Sequence, residues 1–200
     1  MMMKLLSNPL CLYGHTCRIV IQEKYSDCDF QYLGDDDVDR ELAELNPYGE
    51  APTLVDRDLV LYGVEVINEF LDERLPHPPL MPIDPVGRGR ARLLISRLKR
   101  DWLDHLQKRL GAGQKLDQKF RKILWDGLLS MSQVFASQEY VLNDDFTLVD
   151  CYVAPLLWRL PALGIKLPKQ GKRLEEYSEL LFSRSSFQNS LSEAERELRS

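Results

Sequence analysis

Cysteine is sparse and irregularly placed: Cys11, Cys17, Cys28 and Cys151 include no CxxC pair, which excludes the usual zinc-ligand and dithiol patterns, and no metal or cofactor is expected. A long uninterrupted apolar run is also missing. The longest such stretch, Phe146 to Leu163, contains Asp150, Arg159 and Pro161, and therefore suits a buried core helix better than a membrane span. Met1–Lys4 leads directly into Leu5 and Leu6 with no basic region or small-residue cleavage site. No secretory signal is expected, and a cytoplasmic setting with reduced thiols follows. Nor is there a broad basic surface. The chain carries 26 Lys and Arg against 31 Asp and Glu, but residues 1–75 hold 6 against 16 and the remainder 20 against 15. That division disfavours binding of duplex DNA through counterion release and points to a protein partner, with no direct sequence-specific DNA binding expected of the chain alone. Internal repeats and low-complexity segments are absent as well.

What is present is an ordinary core-forming composition, 44% hydrophobic and 28% charged over 200 residues, enough for one domain or two small ones. The first third alternates short apolar runs with helical spacing. Met3–Leu6 reads as a strand, Tyr13–Tyr25 as a helix and Asp29–Leu33 as a second strand. Asp35, Asp36 and Asp37 supply an N-cap and first-turn charge for a helix over Val38–Leu45, which Asn46-Pro47-Tyr48-Gly49 ends. Pro52–Val55 and Leu59–Tyr62 read as a hairpin around Asp56-Arg57-Asp58, and Val64–Arg74 as a closing helix. The order β-α-β-α-β-β-α is that of a thioredoxin-like module.

Four prolines follow within Pro76-His77-Pro78-Pro79-Leu80-Met81-Pro82, a composition that removes backbone donors and prevents helix or central strand. From Val86 onward the pattern is helical, over Gly87–Leu110, Leu116–Ser137, Thr147–Leu160, Leu174–Ser183 and a polar helix near Ser190–Leu198. The expected organisation is a thioredoxin-like domain over 1–75, a proline-rich linker over 76–85 and an all-helical domain over 86–200. Thr147 and Asp150 have capping-box spacing, which assigns Asp150 to helix nucleation in preference to catalysis; Phe146 and Cys151 are placed to add an apolar staple.

The module order, the Pro52-Thr53-Leu54-Val55 strand and the Thr147-x-x-Asp150 box followed by helices together resemble the glutathione S-transferase superfamily over nearly the whole chain. The resemblance implies a cis peptide before Pro52, beside the place where the family's enzymes hold glutathione; only a proline makes that isomer inexpensive. Pro76–Pro82, Phe146–Tyr152, Ala154–Pro161 and Glu193-Ala194-Glu195-Arg196-Glu197 are similar to the RNA-polymerase-associated branch of that superfamily, the stringent starvation protein A family. Membership of that branch implies a homodimer that binds RNA polymerase holoenzyme with its housekeeping sigma factor and alters promoter use under starvation or acid stress. It also implies that Pro76, His77, Pro78 and Pro79 form part of the partner-binding surface. The branch typically has an aromatic where Asp84 stands.

The family's enzymes anchor the γ-glutamyl end of glutathione with an acidic residue followed by Ser. Gly63-Val64 occupies that place and supplies neither a carboxylate nor a hydroxyl. Two missing charge-assisted bonds correspond to roughly 3–6 kcal/mol, about a hundredfold or more in affinity. A non-catalytic protein is therefore expected. The alternative is a glutathione-dependent thiol transferase using Cys11, which precedes the first helix where a helix N-terminus can activate a thiol. Against it, Leu12 replaces the usual proline and Gly14 removes a resolving cysteine. Ser7 and Tyr13 read as turn and packing residues, His15 as a helix-surface residue and His105 as a half-buried core residue. For Pro76–Pro79 a stiff spacer competes with a pre-ordered apolar ledge to which His77 adds a directional hydrogen bond. Arg88, Arg90, Arg92, Arg97, Lys99 and Arg100 read either as the solvated face of a helix or as contacts to acidic surfaces.

Overall fold

The computed structural model describes residues 2–111, 115–167 and 171–199; Met1 and Ser200, the outer limits of the two expected domains, lie outside them. The chain divides into two compact units, Met1–Pro78 together with Ser186–Leu198, and Pro79–Ser185 with Arg199.

The first unit is organised around β1 (Met3–Ser7), in which Leu5 and Leu6 have no exposed surface. Burying each such side chain contributes roughly 1.5–3 kcal/mol. Helix α1 (Leu12–Glu23) carries the chain over to β2 (Cys28–Tyr32), which pairs parallel with β1; a parallel pair needs such a crossover. Helix α2 (Asp36–Leu45) starts on Asp35, whose carboxylate accepts from the Asp37 N–H at 2.9 Å. Asp36, Asp37 and Asp39 in its first turn complement the positive end of the helix. Strands β3 (Thr53–Asp56) and β4 (Leu59–Tyr62) form the hairpin, with Arg57 at φ 57° in the turn, and complete a mixed sheet in the order β2-β1-β3-β4. Helix α3 (Val64–Arg74) follows Gly63, whose φ of 87° lies in the left-handed region that glycine tolerates. The crossing of α1 over β1 is close: a Cβ at Gly14 would lie 2.6 Å from Ser7 Cβ. Only glycine permits that approach.

The second unit begins on Leu80 and Met81, which are buried, and Leu80 O accepts from Leu148 N at 2.8 Å. Helix α4 (Pro85–Leu98) opens with Pro at its first position, and the Asp84 carboxylate accepts from Gly87 N at 2.8 Å. Asp84, where the resembled branch has an aromatic, is thus an N-cap. The expected helix over Gly87–Leu110 is not a uniform α-helix. A π-helical turn over Lys99–Leu103 separates α4 from α5 (Asp104–Gly111). The turn places Trp102 directly on Gly127 of α6 (Gln118–Ser132), where an added Cβ would fall 2.2 Å from the indole. A short 3₁₀ turn over Val134–Ala136 follows α6.

Helix α7 (Leu148–Arg159) is almost entirely buried, and α8 (Lys172–Ser183) packs on it. Thr147 and Asp150 form the capping box of α7. Asp150 Oδ2 accepts from Thr147 N at 2.8 Å and from the Thr147 hydroxyl at 2.9 Å, and Oδ1 accepts from Val141 N at 3.1 Å and Tyr177 OH at 2.7 Å. Burial raises the pKa of this carboxylate while the four donors draw it back down. Phe146 meets Tyr140 edge-on and lies under the Arg184 guanidinium at 4.1 Å.

The final helical stretch departs from expectation twice. It is broken into α9 (Ser185–Ser190) and α10 (Glu193–Glu197), because Ser192 starts a new capping box with Glu195. The sequence pattern places residues 86–200 together, yet Ser186–Leu198 packs with the first unit. Buried polar contacts to α1 and to the loop after β1 hold it there.

Candidate functional site

Cys11 is the N-cap of α1, and its Sγ accepts from Gly14 N at 3.2 Å. The placement is that of a helix-activated nucleophile, but the residue is 3% exposed. Leu12 behind it is fully buried and Ser7 is 1% exposed, its hydroxyl accepting from Arg18 Nη1 at 3.0 Å. Ser7 and Tyr13 are both packed into the interior. The Ala51-Pro52 peptide is cis and leads into the fully buried Thr53. Gly63 and Val64 stand at the start of α3, where Val64 is buried and Gly63 provides no side-chain cap. The other thiols are no better suited to chemistry. Burial pushes the Cys17 thiol well above the usual range, and burial together with Asp29 pushes Cys28 up to about 12. Native Cys11 is accordingly expected to react with a soluble disulfide reagent about tenfold or more slowly than in the unfolded chain, because reaction must wait for local opening. Mass-resolved labelling of each cysteine measures this; modification of Cys11 at the unfolded rate would contradict it.

The proline-rich segment has a different character. Pro76, His77, Pro78 and Pro79 are all exposed, and the His77-Pro78 peptide is cis. The ledge is braced from beneath by a side chain that the sequence pattern does not single out. Lys24, which follows α1, buries its ammonium, pairs with Asp72 at 2.6 Å and donates to the Pro78 carbonyl. A buried cation tied to one carboxylate and one carbonyl fixes the backbone of the ledge while its side chains face water. On α4, Arg90, Arg92 and Arg97 are exposed, as is Arg100 in the π turn. Lys99 and Arg100 approach Asp104 and Asp101 at 3.2 and 3.9 Å, so part of this basic stretch is neutralised locally.

His15 overturns its sequence reading. It lies on the inner face of α1 with no exposed surface, 3.0 Å from the Ser190 hydroxyl through Nε2 and 3.5 Å from Glu195 through Nδ1. Three positions on, the fully buried Arg18 donates to Glu195 Oε2 at 2.7 Å and to Ser190 O at 2.8 Å. Its guanidinium also lies 5.4 Å from the Tyr32 ring. Helical periodicity marks residues 15 and 18 as sharing a face; what faces them is out of its reach. A signal for Glu195 did exist, since Ser192-Glu193-Ala194-Glu195 has capping-box spacing. His105 departs in the other direction. It is exposed, lies tilted against Phe120 with ring centroids 4.2 Å apart, and accepts from Arg109 Nε at 3.1 Å. Among the described residues no cluster of His, Cys, Asp or Glu could hold a metal ion, and no helix is long and apolar enough to cross a membrane.

The mixed four-stranded sheet, the cis Pro52 and the helical second unit are those of the glutathione S-transferase fold, and residues 5–79 match the family model "Glutathione S-transferase, N-terminal domain". The solved glutathione transferase Omega 3C of Trametes versicolor is similar in backbone, with a TM-score of 0.82, 21% identity, and coverage of 96% of this chain and 85% of that one. Within that class the chain belongs to the stringent starvation protein A family. It is 48% identical to the stringent starvation protein A homolog of Coxiella burnetii over 98% of this chain and 95% of the relative. The homolog of Haemophilus influenzae is 44% identical, over 96% and 91%.

Proposed function

We propose that this protein is a non-catalytic transcription regulator that acts in the cytoplasm as a homodimer, binds RNA polymerase holoenzyme with its housekeeping sigma factor, and alters promoter use under starvation or acid stress. The reading rests on membership of the stringent starvation protein A family. The observation that carries it to particular residues is the exposed Pro76–Pro79 ledge, held from below by Lys24 and Asp72. A proline ledge whose backbone is already fixed loses little entropy on docking, and His77 offers one directional polar contact. Against a thiol transferase stand the burial of Cys11 and the lack of an anchoring pair at Gly63-Val64.

The double substitution His77→Ala with Pro78→Ala is expected to reduce polymerase co-purification by about tenfold or more, equivalent to about 1.4 kcal/mol, while thermal unfolding stays near that of the parent. Undiminished binding by the double variant would remove the ledge from the interface. Glutathione-dependent reduction of a mixed disulfide that disappears in Cys11→Ser would support the enzymatic alternative.

A further inference from the structure

Helix α1 ends in a Schellman motif. With Lys24 as the C-cap, Tyr25 N donates to Gln22 O at 3.1 Å and Ser26 N to Ile21 O at 3.3 Å. Such an ending needs one residue in the left-handed region, a place that glycine fills without steric cost. Here the residue is Tyr25, at φ 50°, and it is 84% exposed, so its ring packs little against the fold. A large aromatic held in an unfavourable backbone conformation without packing points to a role outside folding.

Tyr25 lines a hollow of about 440 Å³ built from the first unit alone, together with Asp27, Asp56, Arg57, Arg74 and Leu75. Arg57, at φ 57°, is the other non-glycine residue with a left-handed backbone among those described. Both such positions therefore open on one hollow. Asp56 and Arg74 pair at 3.3 Å. Two carboxylates and two guanidinium groups in the lining balance one another, and Tyr25 and Leu75 supply apolar surface between them. The volume lies within the range of pockets that enclose a small ligand or a large side chain.

The hollow and the ledge share their supports. Leu75 is the residue before Pro76, and Lys24 is the residue before Tyr25. The Lys24 ammonium donates to Pro78 O and is held by Asp72 of α3 at 2.6 Å. Tyr25 thus stands on backbone that is pinned directly to the ledge. Size argues in the same direction. The ledge has four residues, whereas a stable protein interface takes about 20–30 residues a side, so a partner seated on the ledge must extend over neighbouring surface. Tyrosine and arginine are the residues that most often anchor such contacts.

We propose, resting on the reading of Pro76–Pro79 as the polymerase-binding ledge, that this surface continues into the hollow with Tyr25 as its anchor. The occupant is an apolar side chain of the same RNA polymerase holoenzyme, laid against the Tyr25 ring and Leu75. Tyrosine brings a large contact area with only two torsions to fix, which glycine at the end of α1 would not provide.

Stability and binding should then respond differently to one substitution. Tyr25→Gly removes the ring and relieves the left-handed backbone, so its thermal midpoint is expected to equal or exceed that of the parent. Capture of purified holoenzyme, carrying the housekeeping sigma factor, by the full chain is expected to weaken about tenfold. Tyr25→Phe keeps the ring and is expected to bind within about twofold of the parent. Undiminished capture by Tyr25→Gly, beside a ledge variant that has lost it, would strike the hollow from the surface and leave the ledge standing. A parent chain that captures no holoenzyme would overturn the polymerase reading itself, and the assigned occupant of the hollow with it. Loss of binding and thermal stability together in Tyr25→Gly would show that the ring serves the fold, which also overturns the proposal.

Discussion

Replacing Arg18 by Met is expected to lower the unfolding free energy by about 3–5 kcal/mol, the range for leaving one partner of a buried ion pair uncompensated. Arg18 has no exposed surface and distributes its donors among Glu195, the Ser190 carbonyl and the Ser7 hydroxyl. Methionine approximates the aliphatic stem and the volume, so the cavity contribution is small and the loss is chiefly electrostatic. Glu195 would then be a buried carboxylate without its guanidinium, and the Ser190 carbonyl would lose its donor. The double replacement Arg18→Met with Glu195→Gln is expected to recover a substantial part of the loss, because it removes the orphaned charge. Urea denaturation of the two single variants and the double variant gives the coupling directly. Equal losses for the double variant and the sum of the singles would show that the two charges do not act on each other.

Asp150→Ala is expected to cost about 4 kcal/mol, for a different reason. The carboxylate is an acceptor hub: it takes the Thr147 N–H that begins α7, the Val141 N–H of the preceding loop and the Tyr177 hydroxyl of α8. Truncation leaves these donors in a dry interior, at roughly 1–3 kcal/mol each where no water reaches them. Tyr177 has little freedom to turn elsewhere, being buried and stacked 4.1 Å from Phe135. Asp150→Asn should lose less, about 1–2 kcal/mol, because the amide oxygen can still accept from the tyrosine or the cap. Thermal unfolding followed by near-ultraviolet circular dichroism distinguishes the two. Equal losses for Ala and Asn would mean that the negative charge, and not the acceptor geometry, is what matters.

Local chemistry made most of the first unit legible in sequence. The Asp35 cap, the Asp56-Arg57-Asp58 hairpin and the span Val64–Arg74 each depend on residues a few positions apart, and the structure has all three. The same holds for the Thr147-Asp150 box. The failures share one physical origin, which is that burial is decided by distant chain. His15 read as a surface residue because its cover arrives 175 positions later, in Ser190. Lys24 reads in sequence only as part of the helical spacing of Tyr13–Tyr25, since nothing nearby announces Asp72 or the Pro78 carbonyl. His105 has apolar neighbours in sequence, yet its own side chain lies on the outer side of α5 over Phe120. The π turn at Lys99–Leu103 was equally hidden; its Trp102 lies against Gly127, which is far along the chain.

The return of Ser186–Leu198 to the first unit also sets an order of assembly. Arg18 and Glu195 are 177 positions apart, so the whole of Pro79–Ser185 must emerge from the ribosome before the guanidinium meets its carboxylate. Closing so long a loop is slow in comparison with forming the local hairpin and helices. Until then the nascent sheet carries a charged, half-finished face on α1. The buried contacts of α1 are therefore completed only by a segment made much later in synthesis than α1 itself.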